Sequence, residues 1–268
     1  MDMLEEIIYQ GKSVPFSLQV KLISLGLMFG FLKEDAGRVA IANRIFEMVL
    51  HGQRSYKEQE EGTAMKRIIY TQRVEVIESY QERRDCADVE IAKLIWECGF
   101  LPIPVNNIPG QVQTFLAQVR PDGVILTGGN DLSKYGGNAP ERDETEKRII
   151  DHAVRNQIPV YGFCRGMQMI ADYFGAGLAR VEHHVAVRHR LEGSVPWNGR
   201  TVNSFHNMAV RAAADDLVVE ARSEDGVIEA VRVRDRKIYG TMWHPERERP
   251  YEAEDIRFIK QIFAKEGE

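Results

Sequence analysis

The sequence predicts an α/β fold, with an open and mostly parallel sheet, flanking helices and a small N-terminal helical segment. Short apolar strands alternate with helix-like runs over residues 67–175, as in parallel sheets whose two faces are covered. Beyond residue 185, shorter strand-like runs follow one another, which predicts an antiparallel extension of the same domain. The charged stretch 51–66 has few core-type residues, so we place a boundary near Gly62, between domains 1–62 and 63–268.

The first predicted domain has helical and strand-like pieces in a short span. Apolar residues recur at helical spacing over residues 18–29, "EDAGR" is typical of a turn, "VAI" of a short strand, and Asn43 of a helix cap. The run "LISLGLMFGFLKEDAGRVAIANRIFEMVL" resembles the winged-helix piece at the C-terminal end of certain AAA-type ATPases. Because the sequence has no GxxxxGK[ST] loop, we expect no P-loop ATPase activity. Two interpretations of this domain stay open. It is either a docking or DNA-contact module or a simple helical appendage, such as a dimerisation surface.

The second predicted domain begins with a buried strand at residues 67–72 and a helix at residues 85–99. The strands and helices that follow are predicted at residues 101–105, 121–127, 142–157, 158–163 and 165–174. Glu144 and Arg148 are spaced to pair across one helical turn. The antiparallel extension comprises the runs "TVNSF", "MAVRAA", "VVEARS", "IEAVRV" and "IYGTMWH".

Composition limits the classes of function. The 268 residues carry a net charge of −5, which argues against a general nucleic-acid-binding surface but not against a local basic pocket. Three cysteines, Cys86, Cys98 and Cys164, fit a reduced cytoplasmic protein better than a disulfide scaffold. The acidic start "MDMLEEIIYQ" does not look like a signal peptide, and no run approaches ~18 uninterrupted apolar residues. We therefore predict a cytoplasmic protein with no membrane partner.

Cys164 lies at the sharpest predicted bend of the chain. The stretch Gly162–Gly166 reads G-x-C-x-G between a strand and a helix, which is the thiol form of a nucleophile elbow. The two glycines remove side chains where strand and helix approach each other. The N-terminus of the following helix favours a thiolate at this position. The backbone N–H of Arg165 can point at a developing oxyanion.

The other groups that a nucleophilic thiol needs come from two more strand ends. In "LTGGND", either Gly128 or Gly129 can supply a second oxyanion donor. In "TMWHPERE", His244 follows an apolar strand and Glu246 lies two residues beyond it. His244 would take the thiol proton, and Glu246 would orient the imidazole.

These motifs carry a family resemblance. "GFCRGMQ", "LTGGND", "VNSFHN" and "MWHPE" resemble the class I glutamine amidotransferase superfamily, and most closely its γ-glutamyl hydrolase branch, over residues 66–265. The resemblance implies a flavodoxin-like core, no cofactor, and a γ-glutamyl thioester formed on the cysteine and hydrolysed by water. It implies catalytic roles for Cys164, His244 and Glu246, an oxyanion hole from Gly129 and Arg165, and substrate contacts from Gln168, Asn203, Ser204 and His206. His206 could equally be a structural histidine.

Charged loop residues point to a narrower group. Arg73 and Arg84 follow the first strand of the second domain, and Asp131 follows the oxyanion turn. Ligands bind at the C-terminal ends of strands in such sheets, and clustered arginines suit an anionic leaving group. The pattern resembles hydrolases that act on γ-glutamyl-CDP-amidate. Surface salt bridges are the alternative interpretation of the same residues.

No metal site is predicted. His183, His184 and His189 lie close together, but the sequence offers no cysteine or carboxylate pattern beside them, so we interpret "EHHVAVRH" as a loop that lines the pocket.

Three functions stay open on the sequence: a γ-glutamyl amide hydrolase, a glutaminase that delivers ammonia to a separate synthetase, and a regulator with an inactive sensing domain. The regulator is disfavoured because all three catalytic residues are present. The predicted partner is a small-molecule γ-glutamyl substrate, and a homodimer stays open.

Overall fold

The structure is a computed structural model that describes residues 65–264 and, before them, the strands β1 (Leu32–Asp35) and β2 (Arg38–Ile41). These two strands pair antiparallel, with Leu32 opposite Ile41. The predicted strand "VAI" lies within β2, while the helices predicted on either side lie outside the described residues. The chain divides into the units Met1–Ala64 and Met65–Glu268, and the boundary near Gly62 stays a prediction.

The second unit alternates strands and helices in its first half and is rich in strands afterwards. Its strands are β3 (Arg67–Thr71), β4 (Arg73–Ile77), β5 (Glu82–Cys86), β6 (Leu101–Val105), β7 (Gly123–Leu126), β8 (Val160–Phe163), β9 (Leu178–Arg180), β10 (Val185–Gly193), β11 (Thr201–Phe205), β12 (Met208–Val210), β13 (Leu217–Ser223), β14 (Ile228–Val233) and β15 (Ile238–Thr241). Its helices are α1 (Val89–Glu97), α2 (Val112–Val119), α3 (Pro140–Asn156), α4 (Arg165–Tyr173) and α5 (Ala253–Phe263).

Nine of these strands form one sheet in the order β11-β10-β13-β14-β15-β8-β7-β3-β6. The half from β15 to β6 is parallel, and the half from β11 to β15 is antiparallel. The predicted α/β architecture with an antiparallel extension is therefore confirmed. None of the described helices combines the length and the apolar character that crossing a membrane requires.

Helices cover both faces of the parallel half. Buried residues of α2, α3 and α4, such as Leu116, Ile149 and Ile170, pack in one apolar cluster. Buried residues of α1 and α5, such as Leu94 and Ile262, pack in another. Successive strand residues alternate between the two clusters because side chains point to opposite faces of a sheet. The result is three layers, with the strands between two layers of helices.

Three local predictions were wrong or incomplete. The helix predicted at residues 85–99 starts too early: residues 85 and 86 belong to strand β5, which pairs with β4 in a hairpin, and α1 begins only after its N-cap Asp88. The pocket-lining loop predicted for "EHHVAVRH", residues 182–189, belongs largely to strand β10. Most residues of this strand are exposed, so its sequence shows no clear alternation of apolar and polar residues. Helix α2 was not predicted. The i,i+4 pair of Glu144 and Arg148 is present, with Nε and Oε1 2.8 Å apart.

Candidate active site

Two neighbouring parallel strands bring the predicted nucleophile and base together. Phe163 of β8 lies opposite Thr241 of β15, so both strands end at the same level of the sheet. Cys164 directly follows the first strand, and His244 comes three residues after the second. Parallel pairing therefore makes neighbours of two residues that are 80 positions apart in the sequence.

Cys164 has a backbone conformation that an L-residue rarely adopts, with φ of 51° and ψ of −112°. Its N–H donates to the Thr241 carbonyl at 2.8 Å, which holds the bend against β15. Gly166 lets α4 approach the sheet, since a Cβ there would lie 2.0 Å from the Leu126 carbonyl oxygen. The structure therefore has the geometry of a nucleophile elbow, and the backbone strain lies at the predicted nucleophile.

His244 is buried and held by Glu246. Its Nδ1 lies 2.7 Å from the Glu246 Oε1, and the rings of Phe163 and Phe205 pack edge-on against the imidazole. Burial lowers the pKa of His244, but Cys164 and Glu246 outweigh burial and raise this pKa to about 9. A cationic imidazole beside a thiol is the setting in which cysteine nucleophiles are found.

Asn203 holds the backbone of His244 in place. Its Oδ1 accepts the His244 N–H at 2.9 Å, and its Nδ2 donates to the His244 carbonyl at 2.9 Å and to the Glu248 Oε1 at 2.8 Å. This buried amide therefore connects β11 to the predicted base. Sequence analysis predicted a substrate contact here and missed the positioning role, because the partner lies 41 residues away.

The predicted oxyanion turn follows β7. Gly129 has φ of +84°, which glycine tolerates best, and Gly128 lies so close to His244 that a Cβ would be 2.9 Å from its Cε1. The guanidinium of Arg142 donates to the carbonyls of Thr127 at 2.7 Å and Gly129 at 2.5 Å. These bonds fix the orientation of both peptide groups that flank the turn.

Arg142 belongs to a buried group of four charges. Its Nε donates to Glu146 at 2.9 Å, and Arg165 pairs with both Glu146 and Asp143. Burial, together with repulsion from Arg165, lowers the pKa of Arg142 to about 10. Burial also opposes the charge of Glu146, but the two arginines keep the pKa of Glu146 below its ordinary value. The run "ERDETEK" has the composition of an exposed helix face, so the burial of these charges becomes visible only in the structure.

Two clefts flank Cys164, His244 and Glu246 and share Gly129. The cysteine cleft has a volume of about 240 Å³ and is lined by Gly129, Asn130, Asp131, Cys164, Arg165, Gln168, Phe205, His206 and Asn207. The histidine cleft is smaller, at about 60 Å³, and is lined by Arg73, Cys86, Ala87, Asp88, Ile91, Thr127, Gly128, Gly129, Phe163, His244, Glu246 and Arg247. A scissile bond between the two clefts would meet the thiol on one side and the imidazole on the other.

The structure brings some of the predicted substrate contacts to the clefts. Gln168 and His206 line the cysteine cleft, and both contact the Met208 carbonyl, at 2.8 Å through Nε2 and at 3.2 Å through Nδ1. Ser204 is fully buried, donates to the His184 carbonyl at 2.7 Å and lines neither cleft. The substrate roles of these residues stay predictions.

The predicted charged contacts also divide into residues that line a cleft and a residue that lines neither. Asp131 lines the cysteine cleft and Arg73 the histidine cleft, where Arg73 also pairs with Glu75. Arg84 pairs with Glu82 on the β4–β5 hairpin and lines neither cleft.

The histidine cleft contains one arginine that sequence analysis did not consider. Arg247 lies 4.4 Å from the ring centre of Phe205 and 3.7 Å from the Glu246 Oε1. Its position directly after the motif "HPE" could have identified it from the sequence.

Comparisons with known proteins identify the family. The family model "Glutamine amidotransferase class-I" matches residues 90–263. The chain is 36% identical over 200 residues to the gamma-glutamyl-CDP-amidate hydrolase of Campylobacter jejuni subsp. jejuni, covering 72% of this chain and 96% of that protein. It is 29% identical over 191 residues to the gamma-glutamyl-gamma-aminobutyrate hydrolase of Escherichia coli O157:H7, covering 57% and 75%.

A solved structure agrees with the fold. The glutamine amidotransferase of Thermotoga maritima superposes with a TM-score of 0.53 at 18% identity, over 74% of this chain and 84% of that one. Together with the extent of the family match and the 36% identity, this shows that the chain belongs to the class I glutamine amidotransferase family and is an enzyme of that family.

Proposed function

We propose that the chain hydrolyses a γ-glutamyl amide through a thioester on Cys164. The observation that supports this most directly is the triad: Cys164 on a strained elbow, beside a buried His244 that lies 2.7 Å from Glu246. The relatives named gamma-glutamyl-CDP-amidate hydrolase and gamma-glutamyl-gamma-aminobutyrate hydrolase support the γ-glutamyl part of the proposal.

The reaction begins when the Cys164 sulfur attacks the γ-carbonyl carbon. The amides of Gly129 and Arg165 donate to the oxyanion that forms. His244 then gives its proton to the amide nitrogen, the C–N bond breaks, and the amine leaves with the thioester remaining on sulfur. Water, deprotonated by His244, attacks the thioester, so glutamate is released and the thiolate returns.

The two clefts suggest how the substrate lies. Because His244 protonates the leaving nitrogen, the leaving group belongs in the histidine cleft and the glutamyl group in the cysteine cleft. Asp131, the acidic residue among those lining the cysteine cleft, would pair with the glutamyl ammonium. Arg73 and Arg247 line the other cleft and favour an anionic leaving group.

We therefore propose an anionic γ-glutamyl conjugate as substrate, with γ-glutamyl-CDP-amidate as the candidate. At about 60 Å³ the histidine cleft cannot enclose a nucleotide, so most of such a leaving group would extend beyond the two arginines.

Glutamate release from a panel of substrates tests the proposal. The panel comprises glutamine, γ-glutamyl-γ-aminobutyrate and γ-glutamyl-CDP-amidate, each with wild type and Cys164→Ser. We expect wild type to release glutamate rapidly from one conjugate and slowly from glutamine. Cys164→Ser should release no glutamate from that conjugate. Fast release from glutamine alone would instead support a glutaminase that supplies a separate synthetase. Turnover by Cys164→Ser would refute the assignment of the nucleophile.

Arg73 and Arg84 form a matched pair for testing the leaving-group side. Both arginines lie on the β4–β5 hairpin, both pair with a glutamate two residues away, and their side chains are 50% and 54% exposed. Arg73→Ala should raise KM for an anionic conjugate about 10-fold or more, and Arg84→Ala should leave it near the wild-type value. Equal effects would contradict the placement of the leaving group in the histidine cleft.

A further inference from the structure

Three histidines and one glutamate form a cluster that adjoins the cysteine cleft and is buried except for the partly exposed His189. His184 immediately precedes β10, His189 lies within β10, His206 follows β11, and Glu229 lies in β14. Glu229, His184 and His206 are 0%, 1% and 3% exposed. The ring centres of His184 and His189 are 4.1 Å apart, and those of His184 and His206 are 4.8 Å apart. Of the four, His206 is the residue that also lines the cleft.

The polar atoms that face the middle of this cluster have no hydrogen-bond partner within the described residues. They are Nδ1 of His184, Nε2 of His189, Nε2 of His206 and both carboxylate oxygens of Glu229. A buried carboxylate without a donor is costly, and native proteins avoid such groups unless an ion or a proton compensates them. Glu229 lies at ion-pair distance from His184 and His206, which offsets part of this cost, but none of these contacts has hydrogen-bond geometry. The cluster therefore has the side chains and the spacing to hold a cation.

Outer contacts hold two of the histidines in place. The Nε2 of His184 lies 2.9 Å from the Asp225 Oδ2, so its Nδ1 faces Glu229 at 3.4 Å. The Nδ1 of His206 lies 3.2 Å from the Met208 carbonyl, which holds this histidine beside the cluster. Contacts of this kind orient histidines that bind metals.

The distances fit a metal better than direct hydrogen bonds. The Oε1 of Glu229 lies 3.4 Å from the His184 Nδ1 and 3.5 Å from the His206 Nε2. A direct N–H···O bond is about 2.9 Å long. The edge of a tetrahedron with metal–ligand bonds of about 2.1 Å is about 3.4 Å. The ligand atoms of His184, His189 and Glu229 all lie within 4.8 Å of one another.

We propose that His184, His189 and Glu229 bind one Zn²⁺ ion, with His206 beside the site. Three protein ligands leave a fourth position for water, and the His206 Nε2 lies 3.5 Å from the Glu229 Oε1. Because none of the three ligands lines either cleft, the ion would hold β10 and β14 in place rather than take part in the reaction. The sequence did not predict this site because Glu229, which completes it, lies 40 residues beyond His189.

Metal content tests the proposal independently of any enzymatic activity. The full chain, without a histidine tag, is loaded with Zn²⁺, dialysed, and analysed by mass spectrometry for zinc per chain. Wild type should retain about one zinc ion, and His189→Gln and Glu229→Gln should retain at least about 10-fold less. His183→Gln is the matched control, since this exposed neighbour is outside the cluster and should retain the wild-type amount.

Thermal unfolding separates loss of the ion from failure to fold. His189 is only partly buried, so we expect His189→Gln to fold, as circular dichroism would check. A chelator should lower the Tm of wild type by about 5 °C but not that of His189→Gln, and added Zn²⁺ should restore it. Wild type that retains no more zinc than His189→Gln, or a Tm unaffected by chelator, would overturn the site. The cluster would then be a proton-sharing pair of His184 and Glu229.

Discussion

The contacts of Asn203 lead to a prediction that separates positioning of the base from binding of substrate. Replacing Asn203 with alanine removes three hydrogen bonds, two to the backbone of His244 and one to Glu248. It leaves the N–H and the carbonyl of a buried histidine without partners. An unpartnered buried group costs about 1–3 kcal/mol, so Asn203→Ala should lower the free energy of unfolding by about 2–6 kcal/mol.

The kinetic effect should fall on the chemical step. A base displaced by a fraction of an ångström acts less efficiently, and kcat should drop about 100-fold while KM stays close to that of wild type. Asn207→Ala is the matched control, because this exposed asparagine on the same segment lines the cysteine cleft and its side chain forms no hydrogen bond within the described residues. Its stability should change by no more than about 0.5 kcal/mol.

Urea unfolding and steady-state glutamate release measure the two effects on the same preparations. A large rise in KM for Asn203→Ala, with kcat and stability both unchanged, would refute the positioning role. That result would restore Asn203 as a direct contact with substrate.

Two further predictions concern the elbow and the base. Gly166→Ala places a Cβ 2.0 Å from the Leu126 carbonyl oxygen and should cost about 3 kcal/mol, whereas Gly177→Ala, with nothing within 4 Å, should be nearly neutral. Similar melting temperatures for both variants would contradict close packing at the elbow. Because the pKa of His244 is raised from 6.5 to about 9, protonated His244 stabilises the fold fully below pH 6.5, and this contribution is lost as the pH rises toward 9. The difference in urea midpoint between wild type and Glu246→Gln should therefore narrow over that interval, and a constant difference would contradict the ion pair.

Short sequence motifs were enough to predict the elbow and the pair of His244 and Glu246. The elbow could be predicted because glycines at positions 162 and 166 bracket a cysteine within five residues, between a strand and a helix. His244 and Glu246 could be predicted because they share one short motif. In each case the residues that matter are close in sequence, and the resemblance to the family rests on the same short runs.

The predictions that failed depended on distant partners. Arg142 looks like a surface residue of a charged helix, and only folding reveals that its guanidinium binds the turn after β7. The β4–β5 hairpin contains the run "ERRDC", which has no strand-like alternation and is stabilised by pairing with β4. Strand formation depends strongly on such context, so the run "ERRDC" by itself does not predict a strand.

The position of β15 in the sheet has a consequence for how activity is acquired during folding. This strand is the last of the sheet in chain order, yet it lies in the middle, between β8 and β14. The elbow motif is local in sequence, but the Thr241 carbonyl that holds its bend and the predicted base His244 are both in place only when β15 inserts and joins the parallel half to the antiparallel half. Long-range pairing of this kind is slow. In refolding experiments, helical circular dichroism should therefore recover before glutamate release does, and catalytic activity would report the closure of the sheet.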